Sequence, residues 1–149
     1  MSVQGTAVAF WDTSALVPLC CSQAFSARAR ALRRKFPHFT IWWGTTVEVH
    51  SALNRLVQER KLTSKSHTAA LNIWQGLEAG ARLVNPVDRV REIARDLPSA
   101  YGLRALDSFQ LAAALVWCQE RPRNRPFITA DVDLSNAATQ AGFSVTLVS

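Results

Sequence analysis

Short runs of β-branched and aromatic residues, each followed within a few positions by apolar residues at helical spacing, constrain this chain most. TAVAFW at 6–11 reads as a short buried strand and FTIWW at 39–43 as a second. ARLVNP at 81–86, RPFITA at 125–130 and FSVTLV at 143–148 have the same character. Between them lie SQAFSARARALRRKF at 22–36, a stretch from Thr46 to Arg60, SKSHTAALNIWQGLEAG at 64–80 and VDRVREIARDL at 87–97. LRALDSFQLAAALVWCQ at 103–119 and DLSNAATQA at 133–141 complete the set of expected helices. Strands alternating with helices over short connections predict an α/β domain with a mostly parallel sheet covered on both faces. At 149 residues the chain is expected to form one domain, 1–149.

In such folds ligands gather beyond the carboxyl ends of the strands. Asp12 falls there, directly after the first strand, and Asp131 falls there after FITA. Each also has a plain reading as a helix cap. Glu48 does too, because TTVE at 45–48 matches a capping box with Thr45 as the cap. Asp107 is harder to explain away, because Leu103, Ala105, Leu106, Phe109 and Leu111 leave its helix hardly any polar face. An unpaired carboxylate in that setting costs several kcal/mol or takes up a proton, and Arg104 three positions before it relieves this only in part.

Four acids at element ends that a parallel fold brings together would repel one another. Mg²⁺ or Mn²⁺, which take oxygen ligands, would neutralise them. The histidines do not join this set. His50 points off the helical face of Glu48, and His38 and His67 lack partners at ligand spacing, which argues against zinc. Cys20, Cys21 and Cys118 form no paired spacing and read as reduced thiols. Thr13 and Ser14 are placed to orient Asp12 through their hydroxyls, and Asp133 either assists at the metal or faces water.

A cation held by carboxylates suits phosphoryl chemistry. The charge balance points the same way, with 17 Lys and Arg against 11 Asp and Glu for a net +6. No acid occurs between Asp12 and Glu48, while Arg28, Arg30, Arg33, Arg34 and Lys35 crowd into eight positions. A basic rim around an acidic centre suits a nucleic-acid backbone better than a small phosphate ester.

Taken together, DTSAL at 12–16, VEVHSALNRL at 47–56, LRALDSFQLAAAL at 103–115 and ITADVDLSNAATQAGFSV at 128–145 resemble the motifs of PIN-domain ribonucleases of the VapC type, toxins of toxin–antitoxin pairs. The resemblance runs nearly end to end and implies a PIN-like three-layer α/β/α domain. It makes Asp12, Glu48, Asp107 and Asp131 the catalytic and metal-binding acids of a Mg²⁺- or Mn²⁺-dependent endoribonuclease. It further implies RNA as substrate, a homodimer and a small antitoxin partner.

The alternatives are a catalytically silent RNA-binding module and a metal-dependent phosphatase on small esters. A nucleotide-binding dehydrogenase fails, because DTSAL rather than a glycine-rich phosphate loop follows the first strand. No apolar run is long enough to span a membrane, and the opening residues lack the pattern of a secretory signal, so a cytoplasmic protein is expected.

Overall fold

The computed structural model describes residues 7–149. Among these residues five strands, β1 (Val8–Trp11), β2 (His38–Trp42), β3 (Arg82–Val84), β4 (Pro126–Thr129) and β5 (Ser144–Leu147), form one sheet in the order β3-β2-β1-β4-β5. Every neighbouring pair is parallel. Thr6, which the sequence places in the first strand, lies outside the described residues.

Among the described residues seven helices cover the sheet: α1 (Thr13–Cys20), α2 (Ser26–Lys35), α3 (Thr45–Gln58), α4 (Ser64–Ala79), α5 (Asp88–Tyr101), α6 (Ala105–Trp117) and α7 (Val132–Ala141). The two-residue alternation of side chains along a strand decides which layer each residue feeds. Ala9, Trp11, Ile41 and Ile128 pack with α1 to α4 on one face. Phe10, Trp42, Val84 and Phe127 pack with α5, α6 and α7 on the other. The result is a three-layer α/β/α fold with a parallel sheet at its centre, as the alternating pattern predicts.

Several boundaries differ from the sequence reading, each for a local reason. Residues 22–25 do not join α2, and Phe25 stays 40% exposed instead of lining the helix core. Ser26 takes that inner place, its hydroxyl donating to the Cys21 carbonyl at 3.0 Å and accepting from the Gln23 amide at 2.8 Å. Helix α5 continues through Pro98 to Tyr101, where Gly102 at φ 69° ends it in the left-handed conformation. Proline in a last turn forfeits one hydrogen bond, and the apolar face of Val90, Ala94 and Leu97 holds the helix on the core. Helix α6 begins at Ala105 rather than Leu103, which leaves Leu106 exposed and puts Asp107 in the first turn.

Candidate active site

Each of the four acids sits at the N-terminal end of a helix. Asp12 is the N-cap of α1, Glu48 and Asp107 lie in the first turns of α3 and α6, and Asp131 is the N-cap of α7. Helix N-termini carry partial positive charge, which lowers the cost of placing carboxylates side by side. All four line one open cavity of about 650 Å³ at the carboxyl edge of the sheet.

The helix-capping alternative divides among them. The Asp131 carboxylate does cap, accepting from the Leu134 amide at 2.8 Å. Asp12 is an N-cap by position, yet its side chain accepts no cap hydrogen bond. The capping box expected at Thr45 is absent: Gly44 is the N-cap of α3, and Glu48 turns into the cavity instead of back to the helix start.

Asp12 is only 3% exposed. Its Oδ2 accepts hydrogen bonds from Ser14 Oγ and from Thr129 Oγ1, the latter at 2.7 Å. The same two hydroxyls reach toward Asp131, because Ser14 Oγ accepts from the Ala130 amide at 2.8 Å and Thr129 Oγ1 from the Asp131 amide at 3.0 Å. Burial raises the Asp12 pKa, the two hydroxyl donors lower it, and the charge of Asp131 raises it again.

Glu48 is held by a separate set. Gln110 Nε2 donates to Glu48 Oε2 at 3.1 Å, and Thr13 Oγ1 donates to Glu48 Oε1 at 3.2 Å. Gln110 Nε2 also lies 3.2 Å from Thr13 Oγ1 and 3.0 Å from Thr45 Oγ1. Thr13 therefore positions Glu48, whereas Ser14 positions Asp12. Burial pushes the Glu48 pKa up to about 7, Gln110 draws it down, and Asp12 and Asp107 raise it.

Asp107 is half-buried rather than sealed in an apolar wall, because the first turn of α6 is open to solvent. Its pKa still rises to about 6, through burial first and then through Asp131, Asp12 and Asp133, against the attraction of Arg104. No ion pair joins Arg104 to it among the described residues. Asp133 is exposed and borders a smaller neighbouring cavity with Asp107 and Asp131. None of the three histidines lines either cavity.

Gln110 and Thr129 are polar residues that the sequence reading left out of the site, and Thr45, read there as a helix cap, instead accepts from Gln110 Nε2. Gln110 carried the same signal as Asp107, a polar side chain three positions on in an apolar helix. Thr129 carried none, since threonine is ordinary in strands. Among the described residues no three Asp, Glu, His or Cys side chains are already gathered as a metal cluster.

The fold and the cavity define a class: a parallel α/β/α protein with oxygen donors massed at the carboxyl edge of its sheet, and with no glycine-rich phosphate loop. The chain belongs to the PIN domain family, whose sequence model matches residues 9–140. That membership supports a nuclease-type function in general. Among curated proteins none matches the chain. The solved structures that share the fold include two described by name. One is a toxin–antitoxin complex from Klebsiella pneumoniae, with 21% identity and a TM-score of 0.53 over 83% of this chain and 86% of that one. The other is the protein PAE2754 from Pyrobaculum aerophilum, with 21% identity and a TM-score of 0.57 over 95% and 91%. Among the described residues no helix is long and apolar enough to cross a membrane.

Proposed function

We propose that the chain is a divalent-metal-dependent endoribonuclease that hydrolyses RNA phosphodiester bonds, and that it is the VapC-type toxin of a type II toxin–antitoxin pair. One observation carries the chemistry: Asp12, Glu48, Asp107 and Asp131, from four separate helix starts, converge on one cavity where burial and mutual repulsion raise the pKa values of the first three. The motifs, family membership and the likeness to a toxin–antitoxin complex support the biological part. One PIN-like unit over 1–149, a homodimer, a small antitoxin partner and a cytoplasmic setting belong to the same reading.

The donor chemistry fits a hard cation. The cavity's anionic donors are carboxylates, its hydroxyls come from Thr13, Ser14 and Ser51, and no thiol or imidazole competes. Asp12, Glu48, Asp107 and Asp131 would hold Mg²⁺ or Mn²⁺, and the carboxylates would draw in to do so. When bound, such a cation neutralises the carboxylates and the phosphate and makes a nucleophile of water at neutral pH.

The chain's own part is positional. Ser14 and Thr129 fix the Asp12 carboxylate, while Gln110 and Thr13 fix that of Glu48. No cysteine or histidine lines the cavity to serve in a nucleophile pair. In the proposed hydrolysis water is the attacking group. It adds across one P–O bond and leaves one phosphate monoester and one hydroxyl.

The test is cleavage of labelled single-stranded RNA by the purified chain with Mn²⁺, with Mg²⁺ and with EDTA, using matched DNA as control. The expected result is metal-dependent cutting that Asp107→Asn lowers by about 100-fold or more. Equal inertness of both proteins with RNA binding retained would overturn cutting and leave a silent RNA-binding module.

A further inference from the structure

Parallel strands all begin on one edge of their sheet, so the residues just ahead of each strand share the edge opposite the acidic cavity. Two backbone bonds mark that edge. The His38 amide donates to the Ala7 carbonyl at 3.2 Å, and the Ser144 amide donates to the Arg125 carbonyl at 2.9 Å. Because β2, β1 and β4 are neighbours, the starts of β2 and β4 lie about 10 Å apart. Just ahead of β2, Arg33, Arg34 and Lys35 close the last turn of α2. Just ahead of β4 come Arg121, Arg123 and Arg125. From Arg125, β4 carries the chain about 13 Å to Thr129, the residue that holds Asp12. None of these six cations lines either cavity. The basic rim that the sequence suggests around the acids is, for these residues, a basic edge at the other end of the strands.

All six are exposed, and among the described residues none forms an ion pair. The acid nearest the second cluster in sequence, Glu120, is already taken by Arg89 through hydrogen bonds at 2.7 and 3.1 Å. The dipole of α2 favours cations in its last turn and accounts for part of the first cluster. The second cluster stands on a loop that is built rather than slack. Its backbone bonds run from the Glu120 amide to the Leu115 carbonyl at 2.7 Å, from Arg121 to Cys118 at 3.1 Å and from Arg125 to Pro122 at 2.9 Å. Gln119, Glu120 and Asn124 hold φ of 56°, 60° and 62°, values that residues with side chains rarely adopt. The Arg125 guanidinium lies 5.2 Å from the centre of the Trp117 ring.

This edge offers charge without a platform for bases. None of the large apolar side chains exposed among the described residues falls within 33–38 or 118–126. Unpaired bases need such surfaces to stack on, whereas double-helical RNA is met through its backbone and shape. Arginine's forked donors suit phosphate oxygens. We propose that the amino edge of the sheet binds the phosphate backbone of double-helical RNA at a second, non-catalytic site, filled independently of the acidic cavity. The choice of RNA over another polyanion rests on the reading of the chain as an RNA-cleaving enzyme. A duplex held here leaves the cavity open to a separate segment.

The experiment measures binding of a blunt RNA duplex by fluorescence anisotropy in EDTA across a salt series. It compares wild type with Arg121→Gln/Arg123→Gln, with Arg33→Gln/Arg34→Gln and with Arg91→Gln/Arg95→Gln, a control of equal charge change at exposed α5 positions. Each edge variant should lower the slope of log K against log salt by about 1 to 2 and weaken binding several-fold more than the control does. Duplex DNA and polyglutamate should compete several-fold less well than duplex RNA. With Mn²⁺, cleavage of a short unpaired RNA should proceed in Arg121→Gln/Arg123→Gln as in wild type, and saturating duplex RNA should not inhibit it. Edge variants that bind like the control, competition by DNA or polyglutamate equal to that by duplex RNA, or inhibition of cutting by the duplex would each overturn the second site. Cutting that persists in those cases leaves the enzymatic reading standing. A wild type that binds duplex RNA at this edge but cuts nothing upholds the second site and removes the enzymatic reading.

Discussion

Gln110 shows how much of this site rests on one side chain. Fully buried, it offers Nε2 to Glu48, Thr13 and Thr45, residues from two other helices. Gln110→Leu keeps the volume and removes the donor, leaving Glu48 with Thr13 as its remaining side-chain partner. The expected cost is about 1–3 kcal/mol in chemical denaturation, lessened because Gln110 Oε1 has no protein partner to lose. An unchanged midpoint would mean that the hub carries no load. The acids themselves were legible in the sequence because a carboxylate at a strand end or in an apolar helix is costly and therefore informative. Of the groups that aim them, the Thr13 and Ser14 hydroxyls were legible beside Asp12, whereas Thr45 read as a helix cap, Thr129 as an ordinary strand residue, and Gln110 was passed over although its apolar helix gave the same signal as for Asp107.

At the scale of elements, what delivers the acids is the start of each helix. Gly44 caps α3, and a Cβ there would lie 2.7 Å from Trp42 Nε1. The Trp42 indole stacks on Phe109 of α6 at 5.7 Å between ring centroids. Gly44→Ala should push that ring off its stack, cost about 1–3 kcal/mol and reduce the near-ultraviolet dichroism of the tryptophans. A spectrum identical to wild type would show that the ring yields without consequence. Gly102 at φ 69° lets α5 stop and α6 start, so Gly102→Ala should cost about 1 kcal/mol in the same denaturation measurement, and a stabilised variant would contradict that role. The elements were largely visible in advance, since their periodicity is what burial on a two-faced sheet demands. Their ends were less so. Pro98 does not stop α5, and the capping box at Thr45 loses to Gly44, because packing of the apolar faces outweighs local stop and start signals.

For the molecule as a whole, the clustered acids predict a stability that runs against pH. Glu48 titrates near 7 and Asp107 near 6 in the folded chain, against ordinary values of 4.5 and 3.8. Between those limits the folded state binds more protons than the unfolded one, so stability falls as pH rises, and Asp12 adds in the same direction. Glu120, lowered by Arg89, acts oppositely but only below its ordinary 4.5. Thermal unfolding in EDTA should therefore give a lower Tm at pH 8 than at pH 5, and Asp107→Asn should flatten the difference. A Tm that rises over that interval would contradict the electrostatic reading of the cavity. Adding Mn²⁺ at pH 8 should restore stability in wild type, as any ligand of the folded state does.

The most direct measurement is anomalous scattering from crystals of the chain soaked in Mn²⁺ at neutral pH. The predicted result is a manganese peak bounded by carboxylate oxygens of Asp12, Glu48, Asp107 and Asp131, and lost in Asp107→Asn. A strong peak elsewhere, or none while the same protein cuts RNA in EDTA, would contradict a metal centre built from these four acids.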